Sequence, residues 1–215
     1  MREQTAPYVA HHFDDAAQQR EASSLGMWVF LVNEVMFFGG LFTAYVVYRT
    51  AFPAAFHGAS HHLDVALGAF NTVVLLTSSL TMALSVHAAQ VSKRLMLIAN
   101  LILTMILGVV FLGVKAYEYT HKWHEHLVPG PHFAYSGPDP TNAQLFFSLY
   151  FAMTGLHALH MVVGVALLAV LLVRSGQGMF NKYYYTPVEV CGLYWHFVDL
   201  VWIFLFPLLY LLGRH

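Results

Sequence analysis

The chain has 215 residues, of which 58% are hydrophobic and only 10% charged, whereas a soluble domain carries about a quarter charged residues. That deficit, with a mean hydropathy of +0.59, excludes an ordinary water-soluble domain and points to lipid as the solvent. A net charge of −1 offers no basic field for nucleic acid, and the lone Cys191 excludes an internal disulfide and any multi-thiolate metal site.

Residues 1–24 form a polar N-terminal segment in which Arg2, Glu3, Asp14, Asp15, Arg20 and Glu21 are not accompanied by an apolar core. No cleavable signal peptide is expected there, so the first hydrophobic stretch should direct insertion. Residues 25–215 read as one domain, an all-α integral membrane bundle of five transmembrane helices. Roughly 20 apolar residues cross a bilayer core as a helix, and the stretches 25–48, 65–89, 95–117, 143–173 and 188–212 reach that length. The fourth exceeds it and is expected to tilt or protrude.

In the first span, Glu34 lies near the bilayer midplane among Phe30, Leu31, Phe37 and Phe38. It reads either as a neutral hydrogen-bond donor to a neighbouring helix or as an apolar-shielded proton site open to a hydrophobic carboxyl reagent. The second span places Gly68, Asn71, Leu75, Ser78, Met82 and Ser85 at alternating steps of three and four, the spacing of a close helix–helix seam. The third carries a comparable stripe of Asn100, Thr104, Gly108, Phe111, Lys115 and Glu118. The fourth offers His157, His160 and Gly164 on one face, and the fifth His196, Asp199 and Ile203. His196 and Asp199 are expected to hydrogen-bond one another across a helical turn.

Helix-start residues precede each span: Ser23 and Ser24, Asp64, Ser92, then Thr141 with Asn142. For the fifth, Thr186-Pro187-Val188-Glu189 has the form of a capping box with proline in the first position. Pro207 inside that span predicts a kink. Segment 120–140 is the longest loop and is expected outside the cell. Arg2, Arg20, Lys93, Arg94, Arg174 and Lys182 share the side of the N-terminus, against Arg49, Lys115, Lys122 and Arg214. This bias predicts a cytoplasmic N-terminus and an external C-terminus.

Histidines are numerous, but His11-His12 and His61-His62 read as solvated loop residues, and the run from His121 to His126 follows no fixed ligand pattern. Within the spans lie His87, His157, His160 and His196; a one-turn separation of His157 and His160 is not the spacing of a helix holding two stacked haems. No metal site is expected.

Three stretches carry a resemblance to subunit III of cytochrome c and quinol oxidases. Met27-Trp28-Val29-Phe30-Leu31-Val32-Asn33-Glu34-Val35-Met36-Phe37-Phe38 resembles the family's span with a membrane glutamate before an E-x-x-F-F pattern. Gly155-Leu156-His157-Ala158-Leu159-His160 is similar to the family's T-G-x-H-x-x-H helix. Tyr194-Trp195-His196-Phe197-Val198-Asp199-Leu200-Val201-Trp202 looks like its Y-W-H-F-V-D-x-V-W signature. Asn71-Thr72 and Glu118-Tyr119 fall where the family's N-T and E-Y pairs do. The match runs from about Leu25 onward and resembles the five-helix bacterial form.

The resemblance implies a non-catalytic subunit III of a bacterial heme–copper terminal oxidase of the cytochrome c oxidase type, set in the cell inner membrane. The alternatives are a quinol oxidase subunit III and the accessory membrane protein of a nitric oxide reductase. It implies direct packing on oxidase subunit I, wider partnership with subunit II and further respiratory subunits, bound phospholipid, and support of proton uptake. It also implies no cofactor in this chain, with haem and copper in partner subunits. The cofactor arithmetic agrees, because a catalytic subunit of this type needs more intramembrane histidines, and subunit II needs a pair of cysteines. By the same resemblance Glu34 matches a carbodiimide-reactive glutamate and Arg174 an arginine that meets a lipid headgroup, although Met179 stands where the family has a second, histidine contact. Asn71, Lys115, Glu118, His157, His160, His196 and Asp199 are read as a structural polar network.

Overall fold

A computed structural model describes residues 9–10 and 13–212. Arg2, Glu3, His11, His12 and Arg214 therefore lie outside the described residues. The described residues form six α-helices: α1 (Ala16–Ala51), α2 (Pro53–Ser60), α3 (Val65–Gln90), α4 (Arg94–His124), α5 (Pro140–Gly176) and α6 (Thr186–Phe206). All but α2 are long and apolar enough to cross a membrane. A π-helical turn at Pro207–Leu211 continues α6. The bend expected at Pro207 takes this form because proline lacks the N–H that a regular helix would use.

Helices α3, α4, α5 and α6 form a four-helix ring in which α3 abuts α4 and α6, and α5 abuts the same two. Helix α1 lies outside the ring against α6 and α5, so most of its surface remains apolar and uncovered. The predicted seam on α3 is fully realised, since all six of its residues are buried. Its small side chains admit large neighbours: a Cβ on Gly68 would lie 2.7 Å from the Phe206 ring, and one on Gly108 of α4 would lie 2.7 Å from Trp195. The Trp195 indole N–H donates to Ser78 Oγ at 3.0 Å, closing the seam with a satisfied polar contact.

Helix ends depart from the expected caps. Asp15, not Ser23 or Ser24, caps α1 by accepting from Gln18 N at 2.7 Å. The intervening Ala-Ala-Gln-Gln-Arg-Glu-Ala are good helix formers that carry the helix beyond the apolar stretch. Asp64 caps α3 as expected, accepting from Ala66 N and Leu67 N at 2.8 and 3.2 Å. Ser92 does not cap α4; it turns with φ 57° and its hydroxyl accepts from Lys182 N at 2.9 Å. Asp139 replaces Thr141 and Asn142 as the cap of α5. No capping box forms at α6, where Glu189 instead lies 3.6 Å from Arg20.

At the face carrying the start of α1, Arg94 donates to the carbonyls of Ser175 and Gly176, tying the α3–α4 turn to the end of α5. The opposite face is covered by α2, absent from the sequence reading, whose Phe56 packs edge-on against Tyr45 and Phe146 at 5.4 Å each. The long loop begins later than expected, because α4 stays helical to His124; its Tyr135 reaches back to Phe147.

Candidate functional site

Glu34 faces the ring rather than the outer surface of α1. Its Oε2 lies 3.3 Å from His160 Nε2, with side-chain exposures of only 14% and 17%. The other ring nitrogen, His160 Nδ1, lies 2.8 Å from the Leu156 carbonyl one turn back on α5. A carbonyl can only accept, so Nδ1 carries hydrogen and Nε2 is left to meet the carboxyl. At that separation the two groups can share one proton, as acid and neutral imidazole or as carboxylate and imidazolium. The ring is fixed further by Phe38 edge-on at 5.5 Å, while the Tyr194 hydroxyl donates to the His160 carbonyl at 2.9 Å.

Nearly three turns along α5 from His160, toward the opposite face, Tyr150 belongs to a second polar centre. Lys115 Nζ donates to Glu118 Oε2 at 2.8 Å, both side chains being 3% exposed. Glu118 Oε1 accepts from the hydroxyls of Tyr210 at 2.6 Å and Tyr150 at 2.9 Å. Lys115 also donates to Tyr210 at 2.9 Å and sits 4.9 Å over the Trp202 ring. Every oxygen of the carboxylate thus has a donor, which is what keeps a buried ion pair tolerable. Glu118 and Lys115 stood in the predicted stripe of α4, and Trp202 closes the Tyr194–Trp202 motif. Tyr150 and Tyr210 carried no sequence signal beyond the hydroxyl that a buried aromatic must satisfy.

The remaining candidates are placed as follows. His157 is fully buried, with its ring 5.3 Å from both Phe111 and Trp202 and neither nitrogen hydrogen-bonded. Asn71 is buried with its amide unpaired. His196 does not bond Asp199; its Nδ1 lies 2.6 Å from Ser79 Oγ on α3, because the ring reaches across the α3–α6 contact rather than along its own helix. Asp199 is buried beside Ser79, and Ile203 is exposed, so the expected stripe on α6 breaks after Asp199. Arg174 lines one end of an apolar groove of about 520 Å³ between α1, α5 and α6, whose walls include Met27, Phe30, Leu171 and Tyr194. Among the described residues, no group of three or more His, Cys, Asp or Glu converges in a way that could hold a metal ion.

The sequence model of the family described as cytochrome c oxidase subunit III matches residues 5–214. The "Probable quinol oxidase subunit 3" of Staphylococcus haemolyticus is 29% identical over 200 residues, covering 93% of this chain and 94% of that protein. Its namesake in Staphylococcus epidermidis is 29% identical over 211 residues, covering 95% and 96%. That in Staphylococcus aureus is 28% identical over 200 residues, covering 93% and 94%.

Proposed function

This chain belongs to the cytochrome c oxidase subunit III family, and we propose that it serves a bacterial heme–copper terminal oxidase as a subunit with no redox centre of its own. The observation that carries this reading is the family match over nearly the whole chain. Multi-pass membrane residence fits it, since five helices are long and apolar enough to span. Haem and copper reside in partner subunits, and this chain packs directly on subunit I.

Within that complex the role of Glu34 and His160 is to hold one exchangeable proton near the bilayer midplane. Their 3.3 Å contact inside an apolar wall supports this, as does the fixed orientation of the imidazole on Leu156. The groove beside Arg174 suits a phospholipid, its apolar walls taking acyl chain and the exposed guanidinium a headgroup phosphate. The N-terminus is cytoplasmic. Arg20, Lys93, Arg94, Arg174 and Lys182 crowd its face, whereas Lys115 on the other side is buried in an ion pair and Lys122 is bound to Glu125 at 2.7 Å.

The names of the relatives favour quinol over cytochrome c as the electron donor of the whole enzyme. The purified oxidase distinguishes the two by which reductant it oxidises. The supporting role is tested by deleting this chain. The haem spectrum of the oxidase should remain nearly intact while activity decays faster during sustained turnover, and an unchanged turnover lifetime would refute the role.

A further inference from the structure

A polar pocket of about 630 Å³ opens between the start of α3 and the end of α4, on the face opposite the N-terminus of α1. Its lining includes His62, Asp64, His121, Glu125 and, at its inner end, Glu118. Glu118 is the carboxylate of the buried centre, so one wall of a water-accessible basin is a group hydrogen-bonded to Lys115, Tyr150 and Tyr210.

Beyond that centre lies His157. It is fully buried, and both ring nitrogens lack a hydrogen-bond partner among the described residues. A buried imidazole in that condition is costly and calls for a function or a bridging water. Trp202 joins the two places, with the Lys115 ammonium 4.9 Å from its ring and the His157 ring 5.3 Å away. Lys115 of α4 and His160, one turn along α5, are the titratable groups whose fields act on His157. On α5, Tyr150, His157 and His160 share a face; a rise of 1.5 Å per residue sets His157 about 10 Å along the axis from Tyr150 and His160 about 4.5 Å further. Asn71, also unpartnered, stands one turn from Gly68, which abuts the Tyr210 ring. Asp199 and His196 are the other carboxylate and imidazole of α6 turned toward the ring, both beside Ser79 of α3.

We propose that the Glu118–Lys115 centre, His157 and the Glu34–His160 pair form one internal proton relay that opens to water at the α3–α4 pocket. An imidazole accepts a proton at one nitrogen and releases one from the other, so His157 needs only transient water on each side to connect the Glu118–Lys115 centre with the Glu34–His160 pair. The relay rests on Glu34 being a proton site and adds the side of the membrane with which it equilibrates.

The test uses the purified oxidase containing this chain, sealed in vesicles whose orientation is established by protease cleavage of the 125–139 loop. Dicyclohexylcarbodiimide reacts with the protonated carboxyl, and mass spectrometry of the Glu34 peptide measures the rate. Raising the pH of the pocket face by about two units across the imidazole range should slow labelling several-fold, while the same change on the opposite face leaves it unaltered. His157→Phe should retain labelling but lose the response; the wild-type comparison stands without the variant. Labelling that follows the opposite face, or a response that persists in His157→Phe, overturns the relay. A Glu34 that is never labelled at any pH overturns the proton-site reading beneath it.

Discussion

Lys115 shows how a charge is held inside an apolar bundle. Its ammonium has Glu118 and Tyr210 within hydrogen-bond distance and the Trp202 ring beneath it. Lys115→Met strands the Glu118 carboxylate and should cost on the order of 3–5 kcal/mol. Lys115→Met with Glu118→Gln should recover much of that loss, and thermal inactivation midpoints of the three proteins decide it. The charged pair was legible in the sequence as a three-residue step on one helical face. Tyr150 and Tyr210 were not, because their partners depend on which helices abut, and hydropathy alone does not encode that. The same reason hid the Glu34–His160 contact and misdirected His196, which reaches Ser79 across a helix pair.

Outside the membrane, pH acts on the rim of the α3–α4 pocket. Burial holds His62 below its ordinary value of 6.5, outweighing the opposing pull of Glu125. Glu125 is held below 4.5: burial raises it, but the hydrogen bond and charge of Lys122 outweigh that. Both groups therefore stabilise the folded rim at higher pH. The His62 contribution falls away as pH drops below 6.5, and that of Glu125 only in stronger acid. After correction for the slower intrinsic exchange in acid, the protection of amides in residues 61–66 should fall between pH 7 and 5 by this account, and a flat corrected profile over that interval argues against it.

At the scale of elements, the five spans were readable because a bilayer demands length and apolarity, which composition reports directly. Their ends were not, because helices continue past the lipid wherever residues favour them, as α1 does back to Asp15. Helix α2 escaped notice because eight residues are too few for a periodic signal, although Pro53 at its start was a clue. The seam glycines make a sharper prediction. A Cβ on Gly164 would meet Trp195 at 2.9 Å, whereas one on Gly113 meets nothing within 4 Å. Gly164→Ala should destabilise by about 1–3 kcal/mol and shift tryptophan fluorescence as the Trp195–Ser78 bond is disturbed. Gly113→Ala should be neutral or slightly stabilising, since alanine is the better helix former.

At the scale of the molecule, a closed four-helix ring with α1 on its outer edge leaves a broad apolar surface for lipid and for a larger partner. The ring buries its polar groups inward, and the Glu34–His160 pair carries that polar interior out to α1. Family membership was legible in three motifs, while the relation of those motifs to one another in space was not.

The central claim is that this chain is a cofactor-free subunit of a haem-bearing oxidase. Affinity purification of the tagged chain from native membranes in mild detergent, followed by an absorption spectrum and mass spectrometry of every co-purifying chain, tests it most directly. The account predicts stoichiometric recovery with an oxygen-reducing catalytic subunit that accounts for all the haem. Recovery of the chain alone with its own bound haem, or with the catalytic subunit of a nitric oxide reductase, would contradict it.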